Sequence, residues 1–389
     1  MRVNAKNMGL GLVVALLACA TANAQHIGKY VPIPAGSEAD HAVQEITAAT
    51  DPAQKLALIN KFASGPGQGE MALVTEDLYV NYYLTQKDYA KAFEHGDKLF
   101  ALDPDNMQNA VNMVRAASET GDADKLLVYG AKVPGILQRF KEQPAPSGAS
   151  PEQWKEGQTN ALQANADNMR YIYQAVLAGI YQTKDPVNRA AQLTKYADAL
   201  PDSPYANEAI GVAATSYQQA QNVPKMLEVA NGLLIKDPNN LRMLLLLADY
   251  YGENNQQLDK AEAYAKKAAG LADTAPKPEG VVDDQWKQQT SLQKGLALSA
   301  LGEVNLQKKD NTAAVQNLQA AAPLVKGDNL SYAKNQYRLA YAFLNLKKLP
   351  EAKQALTEAA SVNSPYKQLA LDKLKSLPAK APVTRKRAS

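Results

Sequence analysis

The sequence is poor in the residues that most often build catalytic and metal sites. Its 389 residues include one cysteine, Cys19, and three histidines, His26, His41 and His95. A single cysteine excludes a disulfide scaffold and a cysteine-based zinc site. The histidines lack the His-Glu-x-x-His spacing of zinc peptidases, and no Gly-x-Ser-x-Gly motif of serine hydrolases occurs. We therefore expect no metal and no cofactor, and we predict that the protein is not an enzyme.

Glycine-rich sequence is also scarce, and the one such stretch, residues 65–69, does not have the surroundings of a phosphate-binding loop. A phosphate loop continues into Lys followed by Ser or Thr at the start of a helix. Here Glu70 and Met71 follow instead. We interpret the stretch as a turn between two helices.

Long apolar runs are missing except near the N-terminus. A basic segment precedes the apolar residues 9–20, and Ala22-Asn23-Ala24 follows them. A membrane-spanning helix needs about 20 apolar residues, so this run is too short to span a bilayer. The order of basic start, short apolar core and small residues is typical of a secretory signal peptide. The sequence thus predicts a signal peptide at 1–24 and a mature chain that is periplasmic or secreted.

An alternative processing site lies within the same segment. Leu16-Leu17-Ala18-Cys19 resembles a bacterial lipobox, in which the cysteine is lipidated and tethers the protein to a membrane. Cleavage after Ala24 would leave an exported chain without any cysteine. Lipidation at Cys19 would instead produce a membrane-anchored lipoprotein.

Charge is unevenly distributed along a chain of nearly neutral overall charge. The 42 Lys and Arg against 39 Asp and Glu give a net charge of +3, yet residues 373–389 contain basic residues and no acid. We predict that 373–389 is a basic, disordered tail. It either keeps the protein soluble or contacts an anionic surface such as acidic lipid headgroups. Because the body is mildly acidic and the protein is predicted to be exported, we expect no nucleic-acid partner.

The body of the sequence has helical periodicity and a repeat. Runs of Val, Ile and Thr that would indicate strands are scarce, and the apolar spacing is typical of amphipathic helices. Ala213-Ala214 and Tyr217 recur 34 residues later as Leu247-Ala248 and Tyr251. A lone helix pair cannot bury its apolar face, so recurring pairs must stack on one another. We predict an all-α solenoid of stacked helix–turn–helix pairs over residues 39–372.

This repeat resembles the tetratricopeptide repeat (TPR) of 34 residues. The family pattern of Leu-Gly, Tyr, Ala and Pro is matched by Leu301-Gly302, Tyr83, Ala352 and Pro104, whereas the family tryptophan is absent. Matching repeats begin near residues 73, 107, 171, 207, 241, 295 and 333. A degenerate first pair is expected at 39–63, after a linker at 25–38.

Two insertions interrupt the repeats, at about 134–151 and 272–283, and both are predicted to be loops. Each ends in a similar motif that holds one of the two tryptophans, Trp154 or Trp286. Each tryptophan either pins its loop onto the repeats or is exposed as an anchor for a partner.

The resemblance implies a function in binding proteins. In TPR proteins the first helix of each pair lines a concave groove, and the Lys/Asn clamp of chaperone-binding relatives is absent here. The inner positions that we select as partner-binding candidates are Asn81, Arg115, Asp249, Glu303, Tyr337, Tyr341 and Leu344. Tyr337 and Tyr341 lie four residues apart on one helix face. They either anchor a partner or pack beneath a C-terminal helix at 366–377.

The sequence therefore predicts an exported TPR scaffold that binds a protein or peptide through its concave groove, without catalysis. The alternative is a lipid-anchored factor for outer-membrane assembly or envelope maintenance, attached to the membrane through Cys19. Membrane association through the basic tail is open in either case. A hydrolase that uses the repeats as a recognition arm would need a separate catalytic domain.

Overall fold

The computed structural model describes residues 26–146 and 150–378, and these residues form helices joined by short turns. The predicted signal peptide, the lipobox cysteine and the distal tail lie outside the described residues. The nineteen α-helices of the described part are α1 Glu38–Ala48, α2 Pro52–Ser64, α3 Ala72–Thr85, α4 Tyr89–Leu102, α5 Met107–Thr120, α6 Ala123–Gly130, α7 Lys132–Glu142, α8 Pro151–Ala164, α9 Ala166–Tyr181, α10 Pro186–Ala199, α11 Ala206–Gln219, α12 Val223–Lys236, α13 Leu241–Glu253, α14 Leu258–Thr274, α15 Asp283–Gln307, α16 Asn311–Val325, α17 Asn329–Asn345, α18 Leu349–Ser361 and α19 Tyr366–Ser376. The predicted all-α architecture of stacked helix pairs is confirmed.

Many of the described helices begin where the sequence supplies a capping side chain. Asn106 and Asn240, which follow Asp-Pro turns, accept a hydrogen bond from the backbone N–H three residues on and so start α5 and α13. Asp88, Asp122 and Asp310 do the same at the second helices of three pairs. Each cap satisfies a backbone donor that the first turn of a helix leaves unpaired. Because these capping residues mark the start of helices, the sequence repeat predicts where the helices of a pair begin.

The chain divides into two compact units, and the boundary between Ala209 and Ile210 falls within α11. Within the first unit, the pairs α1/α2, α3/α4 and α5/α6 are followed by α7, α8 and the pair α9/α10. Within the second unit, α13/α14, α15/α16 and α17/α18 are consecutive pairs that pack on one another, and α19 packs on the last pair.

Small residues set the distance between helices in the second unit. Ala248, Ala265 and Ala300 form a fully buried cluster between α13, α14 and α15. At Gly302 an added Cβ would lie 2.4 Å from Leu318 Cγ, which is closer than packed carbon atoms approach. The Leu-Gly of the repeat pattern therefore has a packing role, because only glycine lets α16 come this close.

The first predicted loop insertion, at about 134–151, is wrong over its first half. Residues 132–142 form α7 instead, and its Val133, Ile136 and Phe140 are buried along one face. Pro134 did not exclude a helix because it lies in the first turn, where its missing N–H has no helical partner to lose. The remaining connection to α8 is short. The second insertion, predicted at about 272–283, contains an irregular segment between the end of α14 at Thr274 and the start of α15 at Asp283.

The tryptophans that end the two insertions differ in their surroundings. Trp154 is buried, its Nε1 donates to the Gln143 carbonyl at 2.9 Å, and its ring packs 6.4 Å from that of Phe140. Trp154 thus pins the connection between α7 and α8. Trp286 lies in the first turns of the long helix α15 and is half-buried.

Both ends of the described chain are more structured than the domain prediction allowed. In the predicted linker, Ile27 is buried, and the Lys29 backbone N–H donates to Asp103 Oδ2 at 2.8 Å, so this segment packs on the turn between α4 and α5. At the other end α19 continues to Ser376, so residues 373–376 of the predicted tail are helical.

Candidate functional site

The second unit contains a cleft of about 300 Å³ between α15 and α17. We call it the α17 cleft; it is lined by Glu303, Leu306, Gln307, Tyr337, Arg338, Tyr341 and Asn345. Three of these residues, Glu303, Tyr337 and Tyr341, belong to the partner-binding positions predicted from the sequence. The lining combines two aromatic rings, one leucine and two amide groups with the charged side chains of Glu303 and Arg338.

The cleft adjoins a network of ion pairs centred on the buried Arg338. The Arg338 side chain is 6% exposed, and its Nε contacts Glu303 Oε2 at 3.0 Å. Its Nη2 donates to Asp249 Oδ1 at 2.8 Å and to Glu253 Oε1 at 3.1 Å. Lys334, one helical turn earlier on α17, contacts Asp249 Oδ2 at 2.6 Å and Glu253 Oε1 at 2.8 Å. We call these five residues the carboxylate network, and it joins α13, α15 and α17.

The carboxylate network fixes the charge state of its members. Burial alone would raise the pKa of Asp249, but Lys334 and Arg338 outweigh this effect and hold it well below its usual range. Burial would lower the pKa of Arg338, yet Asp249, Glu303 and Glu253 raise it further above its ordinary value. Asp249 and Arg338 are therefore ionised near neutral pH, and the paired geometry of the network makes one wall of the cleft rigid.

The two predicted tyrosines share a face of α17 but have different neighbours. The Tyr337 and Tyr341 hydroxyl oxygens are 3.1 Å apart, and their ring centres are 5.1 Å apart. The Tyr337 ring also packs 5.6 Å from that of Tyr366 on α19, and burial raises the pKa of Tyr337. The Tyr341 ring instead lies 5.0 Å from Lys373 Nζ. Tyr337 thus supports the terminal helix, while Tyr341 is the more available of the pair.

The other predicted positions do not line the α17 cleft. Asp249 belongs to the carboxylate network, and Leu344 packs against the buried core of the last helix pair. Asn81 lies in the first unit, where its Nδ2 donates to Asp77 Oδ2 at 3.1 Å. Arg115, also in the first unit, is exposed and faces Tyr171. Asn81 and Arg115 therefore belong neither to the α17 cleft nor to the carboxylate network.

Sequence reasoning missed three members of the network and three further residues of the cleft: Glu253, Lys334 and Arg338, and Leu306, Gln307 and Asn345. Lys334 and Arg338 are four residues apart, as are their partners Asp249 and Glu253, and this matched spacing was a signal in the sequence. Gln307 and Asn345 are the last residues of α15 and α17. Only the structure shows that both side chains line the same cleft.

Asp77 in the first unit also has unusual surroundings. It is half-buried, and burial raises its pKa to about 6 although the Asn81 amide partly opposes this effect. Within residues 26–146 and 150–378, no group of acidic, histidine or cysteine side chains has the arrangement of a metal site. The same residues include no helix that is both long and apolar enough to cross a bilayer.

Comparison with known proteins finds similarity in structure only. No protein-family model matches the chain, and no curated protein matches it in sequence. Solved structures that resemble it include the APC/C hetero-tetramer Cut9–Hcn1, at 14% identity and a TM-score of 0.41, with 87% of this chain covered. The chain spans 63% of the length of that Cut9–Hcn1 chain.

Two further structures with similar helices are more distant. The apo form of the quorum sensor NprR from B. thuringiensis matches at 13% identity and a TM-score of 0.33, with 88% of this chain and 82% of that chain covered. The TPR domain of P58(IPK) matches at 12% identity and a TM-score of 0.27, with 87% and 98% covered. The fold assignment therefore rests on the helix pairs of this chain themselves.

Proposed function

We propose that the protein is an exported, non-catalytic scaffold that binds a polypeptide segment through the α17 cleft. The observation that carries this proposal is Tyr341, a half-buried aromatic ring in an open cleft beside a rigid ion-pair network. Tyrosine is enriched among the residues that dominate binding energy, because it offers a large contact area at little entropic cost.

The rigidity of the site supports a binding role. Arg338 and Lys334 are held by three carboxylates on two neighbouring helices, so α13, α15 and α17 cannot shift independently without breaking the ion pairs of the buried Arg338. A preformed cleft costs less entropy to occupy than one that must order on binding. The amides of Gln307 and Asn345 at the rim can donate to, or accept from, the backbone of a bound segment.

The experiment that tests this function is site-specific photo-cross-linking in the producing cell. A photo-reactive phenylalanine analogue at Tyr341 should cross-link one main polypeptide, because the ring lines the open cleft. The matched control places the same analogue at Glu351, an exposed residue on α18, where no cross-link to that polypeptide is expected. The same cross-link from both sites, or none from Tyr341, would contradict a role for the cleft. A third variant at Arg115 tests whether the first unit joins the interface.

Export is the second part of the proposal, and it rests on the order of basic, apolar and small residues at 1–24. The mature protein should then begin at Gln25, which intact-mass measurement of the exported chain would show. A mass that begins at Cys19 and includes acyl chains would favour the alternative, a lipid-anchored factor of the outer membrane or envelope.

A further inference from the structure

Of the seven residues that line the α17 cleft, Arg338 is the one cation, and its charge is already engaged within the protein. Its Nη2 donates to Asp249 Oδ1 and Glu253 Oε1. Its Nη1 donates to the Ser299 hydroxyl at 3.2 Å, and its Nε contacts Glu303 Oε2 at 3.0 Å. Every nitrogen of the guanidinium therefore has a partner, so the lining offers no free cation to an acidic group of a ligand.

The wall of the cleft has an excess of negative groups. The carboxylate network that forms it contains two cations but three carboxylates. One of these carboxylates, Glu303, lines the cleft itself. Its two oxygens have one partner each, Arg338 Nε and the Gln307 amide nitrogen. Because a carboxylate can accept about four hydrogen bonds, Glu303 has capacity for a further donor.

The two amides that line the cleft each turn their nitrogen to a neighbour in the protein. The Gln307 Nε2 donates to Glu303 Oε1 at 2.8 Å. The Asn345 Nδ2 donates to Asn311 Oδ1 at 2.8 Å, and Asn311 is oriented by its own Nδ2, which donates to the Lys309 carbonyl at 3.4 Å. Within the part of the chain that the structure describes, Gln307 Oε1 and Asn345 Oδ1 accept no hydrogen bond. Both oxygens are therefore available to a donor of the ligand.

The aromatic rings of the cleft also favour a cation. The ring centres of Tyr337 and Tyr341 are 5.1 Å apart, and the ring planes are inclined at 57°. An aromatic face attracts a cation that lies within about 6 Å of the ring centre. Lys373 Nζ already lies 5.0 Å from the centre of the Tyr341 ring, but Lys373 is not one of the residues that line the cleft. The surface of Tyr341 within the cleft is thus left for a cation of the ligand.

Four lysines at the turns beyond the cleft act against this preference, but from exposed positions. They follow the last residues of α15 and α17 and are Lys308, Lys309, Lys347 and Lys348. Lys308 is paired with Asp259 and Glu262 at 2.6 and 2.7 Å. The other three are exposed, so water and dissolved ions screen their charges. A charge inside the cleft interacts more strongly with the buried Glu303, because the local dielectric constant is lower there.

We propose that the α17 cleft takes an arginine side chain of the bound polypeptide, an inference that rests on the proposed binding function. The planar guanidinium stacks on aromatic faces and has five N–H donors. It can lie against Tyr341 while it donates to Glu303 and Gln307. A lysine carries the same charge but lacks the planar fork, so we expect it to bind more weakly. An acidic side chain would meet the Glu303 carboxylate without a free cation to offset its charge.

The first test selects phage-displayed random dodecapeptides on the full chain, with counter-selection on the variant Tyr341→Ala. Peptides that bind the unaltered chain but not this variant should share an arginine at one position. Peptides that depend on Tyr341 but contain no basic residue would overturn the arginine proposal and leave the cleft as a binding site. If no selected peptide depended on Tyr341, the proposed function would fail together with this inference.

The second test removes the charge from the selected peptide alone. Its arginine is replaced by citrulline, which has nearly the same shape but no charge. The affinity should fall on the order of tenfold or more, because a cation–π contact and charge-assisted hydrogen bonds are lost. Replacement by lysine should recover part of this loss. Equal affinities of the arginine and citrulline peptides would overturn the proposal.

Glu303→Gln locates the charge within the protein. This variant should weaken the arginine peptide about as much as citrulline does, and it should change the affinity of the citrulline peptide little. The matched control, Glu351→Gln, removes the same charge from an exposed residue of α18 and should bind like the unaltered chain. Equal losses for the two variants would contradict a local role of Glu303. If Glu303→Gln failed to fold, the citrulline peptide would still decide the question, because it is measured on the unaltered chain.

Discussion

The two units stabilise the same kind of helix pair by different means. Residues 26–209 contain four of the five phenylalanines, and aromatic rings stack there, as Phe93 and Phe100 do on Tyr129 with centres 5.6 and 6.3 Å away. Residues 210–378 rely on buried alanines that let helices approach closely, and on the carboxylate network.

Their charge also has opposite sign: 16 Lys and Arg against 23 Asp and Glu in residues 26–209, and 20 against 16 in residues 210–378. The repeat thus specifies the geometry of a helix pair, but it does not specify which interactions stabilise that pair. The second unit should respond strongly to loss of a buried charge, and the first should respond to it weakly.

The largest expected effect comes from breaking the carboxylate network. Arg338→Met keeps most of the side-chain volume but leaves Asp249, Glu253 and Glu303 with Lys334 alone. Removal of one partner from a buried ion pair costs about 3–5 kcal/mol of unfolding free energy. Hydrogen exchange should show faster opening of the second unit while the first is unchanged.

The matched control breaks an exposed ion pair in the first unit. Arg139 Nε lies 2.6 Å from Asp105 Oδ1, but both side chains are more than a third exposed. Arg139→Met should therefore cost less than about 1 kcal/mol. If Arg338→Met and Arg139→Met lowered the free energy of unfolding equally, the burial of the Arg338 ion pairs would not be what distinguishes the two units.

The next effect is a change of about 1–2 kcal/mol in the free energy of unfolding with pH. A rise in pH should destabilise the first unit through Asp77 and stabilise the second through Asp249. Burial raises the folded-state pKa of Asp77 to about 6, above the ordinary aspartate value near 4. The folded protein then holds this proton more tightly, so the stability of the first unit falls as the pH rises from about 4 to 6. The lowered pKa of Asp249 acts in the opposite direction: its contribution is present above about pH 4 and is lost as the pH falls below that value.

Asp77→Asn tests this assignment. The substitution should stabilise the first unit by about 1–2 kcal/mol at pH 7, a value reduced because the side chain is half-exposed, and by nothing at pH 4. Thermal unfolding at the two pH values measures the difference. The same gain at both pH values would mean that the effect is not one of protonation.

The sequence predicted the fold well because its signals are local. Repeats expected near 73, 107 and 241 begin at Ala72, Met107 and Leu241. Capping residues, turn residues and the apolar period all lie within a few positions of each boundary. The same local reasoning failed at α7, where Pro134 was interpreted as a loop residue although its place in the first helical turn is compatible with a helix.

The site was harder to predict because its contacts are distant in sequence. Arg338 bonds to Asp249 across 89 residues. The matched four-residue spacing shows that each pair of charges shares a helix face, but it does not identify which two helices come together. Glu303, Tyr337 and Tyr341 were found because the repeat assigns them to the inner helix face. Lys334 and Arg338 occupy neighbouring positions on α17 but were not selected.

The smallest expected effect concerns the turns within pairs, where both units use the same backbone conformation. Gly121 adopts φ 66° at the turn of one pair in the first unit, while Gln221 adopts φ 56° at the corresponding turn in the second. Gln221→Gly should stabilise the protein by about 0.5 kcal/mol, because glycine has no Cβ clash in this region. Gly121→Gln should destabilise it by about 1 kcal/mol. A fall in melting temperature for Gln221→Gly would contradict this account of the turns.

The central claim is that Tyr341 in the α17 cleft anchors a polypeptide, and one binding measurement tests it most directly. The segment cross-linked at Tyr341 would be synthesised and its affinity measured for the unaltered protein, Tyr341→Ala and Tyr337→Ala. We predict that Tyr341→Ala weakens binding at least tenfold, as loss of an anchor should, with little change in melting temperature. Tyr337→Ala should instead lower the melting temperature by several degrees, because Tyr337 supports Tyr366 of α19. Unchanged affinity for Tyr341→Ala would contradict the claim.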